Sequence, residues 1–127
     1  MNLEKVVFGF FILLALTLNF GFFLGDIDDP AHHNVYELYA ALVVSLIATV
    51  MKFGERTQIG AILLASSLVA DLQLVAAAVV WGITVHGLDL PLSPHIMASI
   101  VSLSGGALLA NVASVVILTV ETVSLHR

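Results

Sequence analysis

Cysteine is absent from the 127 residues, and with it go disulfides, thiolate metal sites, thiol nucleophiles and the redox-active cysteine pairs of small quinone-linked oxidoreductases. Charge is scarce as well. Lysine and arginine number four, aspartate and glutamate nine, together 10% of the chain, where a soluble domain carries about one-quarter. Thirteen charged side chains cannot cover the outside of a water-soluble fold of this length. There is no basic patch for nucleic acid, no nucleotide-binding loop, no clear internal repeat and no low-complexity stretch. What remains is 60% hydrophobic with a mean hydropathy of +1.10, and the expected solvent is lipid.

Four apolar runs are long enough to cross a bilayer. The first, Val6 to Leu24, holds six of the seven phenylalanines; about 19 residues at 1.5 Å each nearly match a hydrocarbon core of roughly 30 Å. A secretory signal has a shorter apolar core and ends at a small-residue cleavage site. This run ends in Gly25-Asp26-Ile27-Asp28-Asp29-Pro30, which predicts a retained helix. Further spans are expected at 36–53, 59–85 and 96–123, separated by short polar or Gly/Pro-rich connections. Short connections predict an all-α, up-down-up-down bundle of four transmembrane helices in one domain, 1–127.

Orientation follows from the basic residues, which are retained in the cytoplasm. Lys5, Lys52, Arg56 and Arg127 all fall on one side of the expected bundle. The other side gathers Asp26, Asp28, Asp29, His32, His33, Glu37, His86, Asp89 and His95. The sequence thus predicts a bacterial inner membrane protein with both termini cytoplasmic, and Trp81 and Tyr36 or Tyr39 near the outer boundary as an aromatic belt.

Asp71, near the middle of the third span, is the most informative residue. A carboxylate at that depth costs about 2.5 to 3.5 kcal/mol even on permissive insertion scales. With every basic residue expected at the boundary, Asp71 must be protonated and hydrogen-bonded, bathed in water, or neutralised by a transported cation. As helix glue its expected partner is Asn111, since each lies about 12 residues, or 18 Å, from the cytoplasmic end of its helix. The second span carries Asn34, Glu37, Ala41, Ser45, Ala48 or Thr49, and Lys52 at helical spacing, either a hydrated wall with Glu37 at its mouth or a close-packing face. Its other face, Leu38, Val43, Leu46, Ile47 and Val50, suits lipid or the bundle interior. The fourth span has a small-residue ridge, Ala98, Ser102, Gly106, Ala110 and Ser114, suited to close packing. The candidate ion pathway is therefore Asp71, Glu37, Asn111, Ser67, Ser45 and Asn34.

Asp26, Asp28, Asp29, His32 and His33 are candidate metal ligands, oxygen donors suiting calcium and imidazoles zinc, although their spacing matches no defined loop. Glu55 with Arg56, and Glu121 with Arg127, are expected as interfacial ion pairs of little energetic weight.

These features predict a homo-oligomeric cation channel or cation-transport protein with intramembrane carboxylates on the ion path. Potassium, sodium, calcium or zinc is the expected bound cation, and the bilayer, other copies and cations are the partners. A proton-coupled small transporter and a non-transporting accessory subunit are the alternatives. No enzyme is expected. The five histidines lie at span ends or in loops, where haem within a bundle would need them inside, and only one acid lies deep.

Overall fold

The computed structural model describes residues 3–54 and 57–125. Within them the chain forms four long helices, α1 (Leu3–Phe23), α2 (Val35–Lys52), α3 (Gln58–Gly82) and α4 (Pro94–Leu125), and no strand. All four are long and apolar enough to cross a membrane. Polar caps start three of them. The Asn34 side chain accepts from the Tyr36 amide at 2.8 Å, Thr57 from Gly60 at 2.9 Å, and Ser93 from Ile96 at 3.1 Å just ahead of Pro94. After α1 the chain turns at Gly25, where φ is +98° and a Cβ would meet the His32 side chain at 2.6 Å; only glycine fits both conditions.

The third helix departs from the expected run to Val85. Regular α-helix stops at Gly82 and a π-helical turn, Ile83–Gly87, follows, with the Leu88 amide donating to the Ile83 carbonyl at 2.8 Å. One turn earlier the Tyr39 hydroxyl donates to the Ala78 carbonyl at 2.9 Å. A side chain competing for a helical carbonyl is a recognised cause of such local widening.

Each helix packs on two neighbours, α1 on α2 and α4, and α3 on α2 and α4, closing a ring. Across three of the seams the sequence numbers of contacting residues run in opposite directions. Lys5 pairs with Glu121 and Asn19 with Ser104 between α1 and α4. Ser45 meets Asp71 and Tyr39 meets Ala78 between α2 and α3. Ser66 meets Ser114 between α3 and α4, where Gln73 lies against Gly106.

Burial is inverted relative to a protein that folds in water. Val43, Leu46, Ile47 and Val50 of α2 are exposed, whereas Ala41, Ser45, Ala48, Thr49 and Lys52 are buried; of the expected apolar face only Leu38 turns inward. Exposed apolar surface is what the hydrophobic effect removes in water, and this arrangement fits helices apolar enough to cross a membrane. The aromatic residues differ in exposure. Trp81 is 8% exposed and its ring lies 6.1 Å from that of Phe22, within the core, while Tyr36 is exposed.

The interior has three layers. One apolar cluster unites Phe22, Leu38, Ala41, Ala70, Leu74, Ala77, Trp81, Met97, Ile100, Val101 and Ala107. A smaller one holds Phe8, Ile12, Ala48 and Leu63. Between them along the helices lies a polar waist built from Ser45, Thr49, Ser67, Asp71, Asn111 and Ser114, every one buried.

Candidate functional site

Asp71 centres the waist because the inward face of α3 recurs at Leu63, Ser67, Ala70, Asp71 and Leu74, the three-and-four spacing of one helix side. It is 7% exposed. Its carboxylate turns toward α2, where Ser45 donates to Oδ1 at 2.6 Å and Thr49 to Oδ2 at 2.5 Å. Ser45 and Thr49 are four apart and therefore stack on one face of α2. Thr49 also lies 2.9 Å from the Ser45 carbonyl, so its single hydrogen has two acceptors within reach.

This arrangement corrects the expected Asp71–Asn111 pair. The depth estimate was nearly right. The Ser66–Ser114 and Gln73–Gly106 contacts place Asp71 opposite residues 108–109, within about a turn of Asn111. The direction was wrong, because Asp71 faces α2 and finds two hydroxyls there. Asn111 is fully buried and neither its Nδ2 nor its Oδ1 has a hydrogen-bond partner among the described residues; the Ser67 hydroxyl, also fully buried, has none either.

Lys52 is a second correction. Expected at the boundary, it is 6% exposed, with its ammonium 4.4 Å from the centre of the Phe8 ring. The α2/α3 pairings set Lys52 level with about Leu64 or Ala65, so α3 runs on past it for some six or seven residues, roughly 10 Å. A positive charge therefore lies on the same α2 face as Thr49, about one turn away, although no ion pair joins it to Asp71. The stacking on Phe8 stabilises a desolvated ammonium.

The remaining predicted positions separate into three groups. Ser45, Ser67 and Asn111 join Asp71 in the waist. Glu37 does not: it is half-buried at the α1/α2 seam, its carboxylate packed so close to Gly21 that any side chain at residue 21 would collide with it. Asn34 is exposed and its side-chain oxygen is occupied in capping α2, which removes it from an internal path.

Among the candidate metal ligands, Asp26, Asp29 and His32 bring ligand atoms within 4.8 Å of one another. Their groups already serve the turn: His32 Nδ1 accepts from the Asp26 amide at 2.8 Å, and Asp29 accepts from Ala31 at 3.0 Å. Asp28 lies outside the group. His33 is buried and faces the other way, its two ring nitrogens 2.5 Å and 2.7 Å from the Phe22 and Asp26 carbonyls. Its ring thus ties the end of α1 to the loop and is not free to bind a metal.

The Glu55–Arg56 pair and Arg127, the expected partner of Glu121, lie outside the described residues; Glu121 is bonded to Lys5 at 3.1 Å. Sequence reasoning missed the Asn19–Ser104 pair, in which Ser104 donates to Asn19 Oδ1 and Asn19 Nδ2 donates to the Ser104 carbonyl at 3.1 Å. An asparagine within a phenylalanine-rich run was the available signal. The Ser66–Ser114 contact at 2.5 Å was missed too; serine is too common in apolar helices to mark itself.

Fold and site define a class: an all-helical protein with four helices apolar enough to span a membrane, wrapped around a buried carboxylate and a set of hydroxyl and amide groups. The chain belongs to the family of unknown function DUF6394, whose family model matches residues 32–122, from the 3₁₀ turn before α2 through most of α4. Comparison with curated proteins and with solved structures gives no match.

Proposed function

We propose that this chain is an integral membrane protein of up-down-up-down topology, with its termini on the cytoplasmic side of a bacterial inner membrane, and that it moves a cation held at Asp71. The observation that carries the reading is the pair of hydroxyls on that carboxylate. When Asp71 is charged, Ser45 and Thr49 each donate to one oxygen; when a proton occupies Oδ2, Thr49 becomes the acceptor and turns its own hydrogen to the Ser45 carbonyl. Both charge states are served with the heavy atoms in place. A group needed only as glue would stay in one of the two arrangements and has no use for both.

The layering favours a carrier over an open pore. Apolar clusters lie on both sides of the waist, so a cation reaches Asp71 only when helices move, as alternating access requires. A carboxylate ring about an axis between copies would need Asp71 on the outer surface, and it faces its own bundle. Homo-oligomers then form through outer faces, where Ser102, Gly105 and Gly106 line a shallow groove of about 470 Å³ with Phe23 and Leu109, and the path remains within one chain.

The test is cation flux into liposomes holding the purified protein, with protons, potassium, sodium and calcium compared. Asp71→Asn keeps the shape and removes the charge, and flux should fall at least tenfold. Unchanged flux from intact protein would sink the assigned role. One observation favours the accessory-subunit reading: Asn19–Ser104, Ser66–Ser114 and Ser45–Asp71 each join two helices, as interhelical glue does. A folded protein silent toward all four ions would transfer the proposal to that reading.

A further inference from the structure

The waist holds three polar atoms that have no hydrogen-bond partner among the described residues: Ser67 Oγ, Asn111 Nδ2 and Asn111 Oδ1. Both residues are fully buried. The Ser66–Ser114 contact locates them with respect to each other, since Ser67 follows Ser66 and Asn111 precedes Ser114 by three residues, just under one turn. Both belong to the inward faces of their helices. Asp71 stands one turn beyond Ser67 on the same face of α3.

The chemistry of these atoms selects what they bind. An amide offers an acceptor and two donors, and a hydroxyl offers one donor and an acceptor. A metal cation would engage the oxygens but face the positive hydrogens of the Asn111 amino group. An anion would engage those hydrogens and leave the Asn111 oxygen bare. Water donates two hydrogen bonds and accepts two, and so serves every one of these atoms. The conclusion does not depend on which way the amide is turned, because an amide presents one oxygen and one nitrogen in either orientation.

We propose that Ser67 and Asn111 form a buried water-binding site one helical turn from Asp71 and that, on the transport reading above, the cation delivered to Asp71 through that water is the proton. In the delivery step a hydrogen-bonded water releases a proton to Asp71 Oδ2. The new O–H donates to Thr49, the Thr49 hydrogen turns to the Ser45 carbonyl, and a hydronium ion, admitted from the aqueous phase when the helices move, gives the bound water its proton and leaves as water. No bond other than O–H is made or broken, and one positive charge moves. Sodium or potassium would need most of its hydration shell replaced by oxygen ligands, whereas the unserved atoms here include the Asn111 amino group, which donates and cannot ligate a cation.

The experiment reads bound water and ion movement separately, on full-length protein in lipid bilayers. Infrared spectra in ordinary water and in water enriched in oxygen-18 should show a buried O–H stretching band that shifts with the isotope. That band should be lost in Asn111→Leu and at least halved in the milder Ser67→Ala, which serves if the leucine variant fails to fold. Proton flux followed with a pH-sensitive dye should fall at least tenfold in the same variants, with sodium and potassium flux at background throughout. A spectrum without the isotope-sensitive band, or a band untouched by both substitutions, overturns the water site. The band together with sodium or potassium flux overturns the choice of the proton. The band present and lost in the variants, with no flux of any ion, leaves the water site standing and sinks the transport reading instead.

Discussion

At the scale of single residues, the contacts of Asp71 make separable predictions. Thr49 both donates to the carboxylate and can turn to the Ser45 carbonyl, whereas Ser45 has only the first bond. Thr49→Val, which keeps the shape and removes the hydroxyl, should therefore impair cation flux more than Ser45→Ala. Each should cost only about 0.6 to 1.7 kcal/mol of stability, the range found for interhelical polar bonds in membranes. Equal flux in the two variants would argue against a switching role for Thr49. His33 tests a different feature. Its ring nitrogens face two carbonyls, both acceptors, and the ring lies 5.5 Å from that of Phe22. His33→Phe keeps the ring contact and loses both polar ones. It should destabilise by about 1 to 3 kcal/mol in a thermal unfolding measurement while leaving divalent-ion binding unchanged. Loss of divalent binding would return His33 to the metal ligands.

At the scale of elements, the seams differ in what holds them. The α2/α3 and α3/α4 seams carry hydroxyl and carboxyl contacts, whereas the α1/α2 seam combines close approach, with Glu37 lying on Gly21, and the Lys52 ammonium over the Phe8 ring. Gly21→Leu should push the seam apart and destabilise by about 1 to 3 kcal/mol, the usual cost of overpacking. Adding Glu37→Ala should recover most of that loss, because the two side chains then no longer compete for one space. Additive losses in the double variant would show that Gly21 is small for some other reason. The seam pattern was partly legible in advance: the spacing of Ala41, Ser45, Ala48 and Lys52 defined one face of α2, but periodicity does not say which of two faces turns inward. Exposure of Val43, Ile47 and Val50 decided that.

At the scale of the whole molecule, the absence of cysteine makes orientation directly measurable, since any introduced thiol is the only one. Asp28→Cys lies between α1 and α2, and Ser124→Cys near the end of α4. In intact cells a membrane-impermeant maleimide should label Asp28→Cys at once and Ser124→Cys only after permeabilisation. The reverse pattern would invert the orientation, and labelling of both from outside would rule out the up-down order. The same scale separates carrier from channel. Two apolar clusters closing off a polar waist predict that flux saturates with cation concentration, as access depends on helix movement and not on free diffusion.

Length, hydropathy and the few turn residues determined by themselves that there are four long apolar helices and, within a few residues, where they start. That is because each backbone polar group in an apolar solvent must be satisfied within its own segment, so the apolar run is the helix. Asp71 was equally legible, since a lone acid deep in such a run is costly wherever it points. Its partners were not. Residues that share a depth can face different neighbours, and rotation of α3 about its axis, set by how Ala70, Leu74 and Ala77 pack with Phe22, Leu38 and Ile100 in one core, turned the carboxylate toward Ser45 and Thr49 and left Asn111 and Ser67 without a partner. The burial of Lys52 was hidden for a related reason: it depends on how far α3 outruns α2, a difference between helix ends that no single segment encodes.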